Sequence, residues 1–282
     1  MQEIAPGVLI GTEYIGATVG VVLMQRGTVY IDAPPCPDQS RAWRNTVRSM
    51  GNSTQRALVY LDHHPDRALG GRLMDCPILA HEKTAYIFRS RSAIFRAHPP
   101  RHGEAWETCP TISNVRWSQI HLSFGNELHI HWQEKEPLIL QHMPGPAPGA
   151  LWAILPETRV AFVGDAVTLR EPPFLAMAEL EPWLKTLDHL LSDEFKDFLI
   201  VAGRGGLAPL SEIRHMRHFL ARTHDLLQDL TTRKAPVEAT KDLVPELLAL
   251  WEFDPAYDTL YQQRLAHGLQ ACYRSSYLKV KS

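Results

Sequence analysis

A short apolar run, ALVYL at 57–61, passes without a break into DHHPDRALGG at 62–71. The run reads as a strand, and the loop at its end has the make-up of a metal-binding loop with half its ligands exchanged. A loop built for zinc would carry histidine where this one has Asp62 and Arg67. Around it, β-branched runs alternate with helix-like segments. TVGVVLM at 18–24 and TVYID at 28–32 read as paired strands, residues 38–50 as a helix capped by Asp38 or Ser40, and PILA at 77–80 as a further strand before a helix over 81–95. This βαβ order requires a sheet with helices packed outside it.

Strands resume at roughly 115–121, 127–132, 137–142, 150–155 and 159–163, mostly as a meander with a Gly-Asn turn at 125–126. Two strand-rich halves with helices outside imply two sheets packed face to face. From residue 178 the chain turns helical: an amphipathic segment ending near 192, one last buried strand at 198–203, a long helix at 211–233, and helical stretches around 237–252 and 256–274. No internal repeat or low-complexity linker interrupts it.

Composition excludes several classes. A hydrophobic fraction of 45% and a charged fraction of 21% belong to an ordinary globular chain, not a disordered or fibrous one. A net charge of -2 offers no global field for nucleic acid or an acidic membrane. No leader-like start and no apolar run of membrane-spanning length is present, so the expectation is a soluble, cytoplasmic protein. Cys36, Cys76, Cys109 and Cys272 form no CxxC pair, which favours reduced thiols over a disulfide framework.

Several separate segments, in order, resemble the metallo-β-lactamase superfamily. They are IAPGVLIG near the start, VYIDAP, HHPDRALGG, AHEKTA, MPGPAPGALWAILPETRVAFVGDAV and VAGRGG, together spanning residues 4 to about 206. The resemblance implies an αββα sandwich over residues 1–206; the helical stretches beyond it carry no motif of the family and read as a C-terminal extension, 207–282, packed on it. It also implies two metals, held by a His-x-His-x-Asp-His loop, a His inside Pro-Gly-His-x-Pro-Gly, a Gly-Asp carboxylate and a late Gly-His-Gly histidine. At those positions this chain has Asp62, His64, Asp66, Arg67, Pro146, Asp165 and Arg204. Only His64, Asp66 and Asp165 match.

Chemistry grades the losses. Arginine offers no lone pair and does not deprotonate, so Arg67 and Arg204 cannot ligate a metal, and Pro146 has no side-chain donor atom. The set implied for a second metal becomes Asp66, Arg67, Asp165 and Arg204. In it, two guanidinium groups are expected to serve as counter-charges for the carboxylates through bidentate pairs. Three carboxylates against two arginines leave one negative charge, which a protonated His64 is expected to cancel. The set implied for a first metal keeps Asp62, His64 and Asp165, enough for one weakly held zinc, iron or manganese ion.

Two functions follow. One is a non-catalytic or binding protein that retains the scaffold, holds a salt-bridged polar cluster and needs no cofactor. The other is a hydrolase of a small ester or thioester that uses one divalent metal, with Asp66 as the candidate catalytic residue. Partners are a small molecule, and a second copy of the chain through the C-terminal helices; nucleic acid and membrane are not expected.

Other features have plainer readings. His142 is expected to pack rather than bind metal. His215 and His218, flanked by Arg214 and Arg217, read as a solvated helix face, and His129 and His131 as exposed strand residues. GRGG at 203–206 lacks the Lys-Ser or Lys-Thr of a nucleotide loop. Arg89, Arg91, Arg96, His98, Arg101 and His102 precede the first acid at Glu104, making either a local anion-binding lip or a solvated helix end. The apolar residues Leu243, Val244, Leu247, Leu248, Trp251, Leu260 and Leu269 leave three placements open: on their own domain, at a dimer interface, or over the site.

Overall fold

The computed structural model describes residues 1–51, 54–97, 102–109, 111–112, 115–134 and 136–278. Twelve strands and seven α-helices are present among them. Strands β1 (Gln2–Ala5), β2 (Val8–Gly11), β3 (Val19–Leu23), β4 (Thr28–Ile31), β5 (Arg56–Val59), β6 (Ile78–His81) and β7 (Leu122–Phe124) lie in that order in one sheet. The other sheet runs β12 (Leu199–Arg204), β11 (Val160–Thr168), β10 (Leu151–Leu155), β9 (Leu138–His142), β8 (Glu127–Ile130). The pairs β4–β5, β5–β6, β6–β7 and β11–β12 are parallel, so these strands carry their functional residues to the same end of the sandwich.

The period-two alternation of each strand separates two faces. Val29, Ile31, Val59 and Leu61 point inward against Leu140, Leu151, Ala153 and Phe162 of the second sheet. Tyr30, Leu58 and Tyr60 point outward and pack with Trp43 and Val47 of α1 (Pro37–Met50). On the far side, Trp152 and Val163 pack against Trp183 and Leu187 of α4 (Leu180–Leu190) and Phe219 of α5 (Leu210–Thr232). The expected αββα layering is therefore present. The C-terminal helices α6 (Val244–Leu248) and α7 (Asp258–Cys272) share that last core through Leu247, Leu265 and Leu269.

Several sequence expectations are corrected. The strand expected at 115–121 is a loop holding one isolated bridge, Ile94 to Arg116, and the ladder begins only at Leu122. Trp117 is drawn off the sheet edge because it packs on Phe88 and Phe95. The helix expected over 81–95 is α3 (Glu82–Ser90), which stops where Arg91 becomes extended and its side chain turns to the His63 carbonyl. Helix α1 is capped by neither Asp38 nor Ser40. Its N-cap is Cys36, with Pro37 at the first helical position, where a missing N–H costs nothing. The turn at Gly125–Asn126 joins β7 to β8, so it crosses between sheets instead of closing a hairpin.

The cysteine expectation also fails. Cys36 and Cys109 are joined as a disulfide, while Cys76 and Cys272 are free. A small apolar cluster of Cys36, Leu69, Trp106 and Ile112 brings together the loop after β4 and the segment around 104–109, which sequence spacing alone does not reveal. No helix among the described residues is long and apolar enough to cross a membrane.

Candidate functional site

The loop after β5 is shaped by its own polar side chains. Asp62 Oδ1 accepts the His64 backbone N–H at 2.7 Å, and His64 Nδ1 accepts that of Asp66 at 3.4 Å. His64 thereby caps the single turn α2 (Pro65–Ala68), and Pro65 at its first position starts the turn without an orphan donor. This turn points Asp66 and Arg67 into the interior, where both side chains are fully buried.

Arg67 turns its guanidinium toward three carboxylates. Nη1 donates to Asp32, Nη2 to Asp165, and Nε lies 3.0 Å from Asp62 Oδ1. Arg204, at the end of β12, donates from Nη1 to Asp66 at 2.9 Å and from Nη2 to the second Asp165 oxygen at 3.2 Å. Each Asp165 oxygen thus faces a different arginine. The remaining Asp66 oxygen accepts the Trp106 backbone N–H at 3.0 Å. Taking any one of these ions out of water costs several kcal/mol, so each tolerates burial only while its partners stay in place.

Two glycines make room for this cluster. A Cβ on Gly16, whose φ is 82°, would meet Asp66 Cγ at 2.5 Å. A Cβ on Gly203 would meet Asp165 Oδ1 at 2.3 Å, which ties the glycine before Arg204 to carboxylate packing. Asp32 itself has a φ of 57°, a left-handed conformation unusual for a non-glycine residue. It is held there by the Arg67 pair and by the Leu61 backbone N–H donating to its carboxylate at 2.9 Å.

A second ring closes over the first. Glu171 lies 3.5 Å from Arg204 Nε and accepts from Arg264 Nη1 of α7 at 2.9 Å. Arg264 also donates to the carbonyls of Gly103 and Pro172, at 2.8 and 2.9 Å. The Phe174 ring lies between the two guanidinium groups, 4.6 Å from Arg204 and 4.1 Å from Arg264, and against His64 at 4.3 Å. Beside them is a cavity of about 520 Å³ lined by Tyr14, Glu171, Arg204, Tyr261 and Arg264, among others. Of the placements open to the C-terminal helices, α7 takes its own domain and lies over this site.

The electrostatics depart from expectation. With Asp32, Glu171 and Arg264 included, five carboxylates face three guanidinium groups. The surplus is not carried by a protonated His64. Burial, reinforced by Arg204, holds the pKa of that imidazole well below its ordinary value, so it is neutral. The upward shifts fall on carboxylates instead. Burial pushes Asp32 up to about 7 against the opposing pull of Arg67, and it also raises Asp62 and Asp66. Asp165 is shifted down, because Arg204 and Arg67 together outweigh its burial.

A metal ion does not fit these side chains. Both Asp165 oxygens and Asp62 Oδ1 are engaged by arginines, Pro146 contributes no donor atom, and a dication would stand beside two buried cations. Among the described residues, no group of three or more His, Cys, Asp or Glu is arranged to hold one. Of the positions picked out from the sequence, Asp62, His64, Asp66, Arg67, Asp165 and Arg204 come together, while Pro146 is buried in the β9–β10 loop. Asp66, the candidate catalytic residue, is fully buried.

The remaining histidines have structural partners. His142 stacks on His81 and its Nε2 meets the Pro148 carbonyl at 2.9 Å, His129 pairs with Glu127, and His215 packs on Trp251 instead of facing solvent as expected. His218 is exposed. His98 and Arg101 lie outside the described residues. Sequence reading missed Asp32, Glu171, Phe174 and Arg264. Two of these left a trace: an acid closing the apolar run VYID, and an arginine on the same helical face as Tyr261, Leu265 and Gly268.

No family model matches the chain, and no curated protein matches it in sequence. Solved structures do match in shape. A metallo-β-lactamase from Pontibacter korlensis aligns with a TM-score of 0.61 at 17% identity, over 78% of this chain and 97% of that one. The DIM-1 metallo-β-lactamase gives 0.60 at 14%, over 78% and 96%, and TMB-1 gives 0.59 at 16%, over 79% and 97%. At such identities the likeness is one of fold: the chain is an αββα sandwich of the metallo-β-lactamase type.

Proposed function

We propose that this chain keeps the metallo-β-lactamase scaffold without its dinuclear metal chemistry and works as a binding protein, not a hydrolase. The observation that carries this reading is Arg67, whose guanidinium engages Asp32, Asp62 and Asp165 at once. In this reading, Arg67 and Arg204 supply the positive charge that metals supply elsewhere in the fold. A guanidinium neutralises carboxylates, but it offers no coordination site at which a water is acidified.

Closure of the site supports the same reading. Phe174 packs on both Arg204 and Arg264, and Asp66 is fully buried beneath them. Hydrolysis of a small ester or thioester through one metal at Asp62, His64 and Asp165 would first require Arg67 to leave two of its three partners, Asp62 and Asp165.

The test is the metal content of the full chain after dialysis against a mild chelator. The expected result is zinc, iron and manganese far below one per chain. Near-stoichiometric metal that is lost in Asp62→Asn would overturn the proposal and favour the mononuclear hydrolase.

A further inference from the structure

Away from the buried cluster, over the seven-stranded sheet, a cleft of about 870 Å³ opens between the end of α3 and residues 116–123. Arg72, Arg89, Arg91 and Arg116 line it, and no aspartate or glutamate does. We infer that this cleft is a binding site for an organic phosphate. The inference is independent of whether the buried cluster holds a metal.

The arginines here lack, among the described residues, the carboxylate partner that six surface arginines elsewhere have. Arg41, Arg48, Arg159, Arg217, Arg222 and Arg233 each pair with a carboxylate. Among the described residues, Arg72, Arg89, Arg91 and Arg116 have no such ion pair. A helix C-terminus favours a cation and accounts for Arg89 in the last turn of α3, but it accounts for none of the other three. Like charges gathered in one concavity repel, and a bound anion removes that repulsion.

Arg91 forms the floor and is already oriented. Its guanidinium lies 4.8 Å from the Phe88 ring centre and 4.6 Å from that of Trp117, and Nη2 donates to the His63 carbonyl at 2.8 Å. Nη1 is buried and has no hydrogen-bond partner among the described residues. A buried N–H left unpaired is unfavourable, and a turn of the guanidinium toward an acceptor in the cleft would recover the lost bond. Arg72, Arg89 and Arg116 are exposed at the rim, where their planar forks match phosphate oxygens.

Size and charge narrow the ligand. The cleft falls within the range of small-molecule sites, roughly 300–1,000 Å³, and far exceeds what a lone phosphate ion fills. Phe88 and Trp117 give the organic part an apolar wall. A net charge of -2 for the whole chain argues against a nucleic-acid strand as the ligand.

Calorimetric titration of the full chain with ADP, pyrophosphate, citrate and a single-stranded oligonucleotide tests this. ADP and pyrophosphate are expected to bind saturably. The double variant Arg89→Glu/Arg116→Glu, at two exposed positions, is expected to weaken both by about tenfold or more. Arg214→Glu, on α5, is expected to leave both unchanged. Absence of saturable binding, equal binding in the double variant, or tighter binding of citrate or the oligonucleotide than of ADP would each overturn the inference.

Discussion

Two groups of arginines occupy this molecule under opposite conditions. Arg67, Arg204 and Arg264 are buried, and the chain provides the carboxylates that hold them. Arg72, Arg89, Arg91 and Arg116 surround an open cleft without carboxylates. A cation in the interior must bring its counter-charge with it, because burial of an unpaired ion would unfold the chain. Water stabilises a cation at a cleft rim, so its counter-charge can arrive later as a ligand.

The sharpest way to break this contrast is to remove a charge from each group. Arg67→Met leaves three carboxylates short of a partner and is expected to cost about 3–5 kcal/mol in denaturant unfolding. Adding Asp165→Asn should return part of that loss, since it removes a stranded charge. A loss under about 1 kcal/mol would mean that the carboxylates are not held by Arg67 at all.

Raising the pH sharpens the contrast from the acidic side. Burial pushes Glu104, beside the cluster, up to about 8, and Asp32 up to about 7. The folded state therefore keeps protons that the unfolded chain has already released, and that contribution to stability is lost as pH rises through these values. Buried His63, lowered to about 3, and His64, also lowered, act with the opposite sign, an effect that fades over about one pH unit above the ordinary histidine pKa of about 6.5. Between pH 6.5 and 8 the carboxylates outweigh the lowered histidines His63, His64 and His81, and stability should fall by on the order of 1 kcal/mol. Unfolding free energies at the two pH values measure this. Glu104→Gln should flatten most of the slope, and an unchanged slope would show that Glu104 is not the source.

The smallest effect belongs to the rim. Arg116→Glu is expected to change unfolding free energy by less than about 0.5 kcal/mol, because no ion pair is broken and solvent screens the new charge. A loss comparable to that of Arg67→Met would erase the distinction between the groups.

The layered fold and most of the cluster were readable along the chain, because alternation in VYID and ALVYL assigns strand faces and the loop residues are close in sequence. Arg67 and Arg204 were also readable as non-ligands, since a guanidinium lacks a lone pair wherever it sits. Other features depend on approach between distant segments. Arg264 reaches Glu171 across 93 residues, and Cys36 meets Cys109 across 73. No local pattern encodes such distances.

The sequence by itself determined which groups can donate, accept or ligate, because that is fixed by covalent structure. It therefore settled that Arg67, Pro146 and Arg204 cannot hold a metal. Only the tertiary structure decided the protonation of the cluster. Burial lowers the pKa of His64, where a cation was expected, and raises that of Asp32, because desolvation depends on what surrounds a group, not on its neighbours in the chain. It likewise decided that three rim arginines and one half-buried arginine converge on a single cleft.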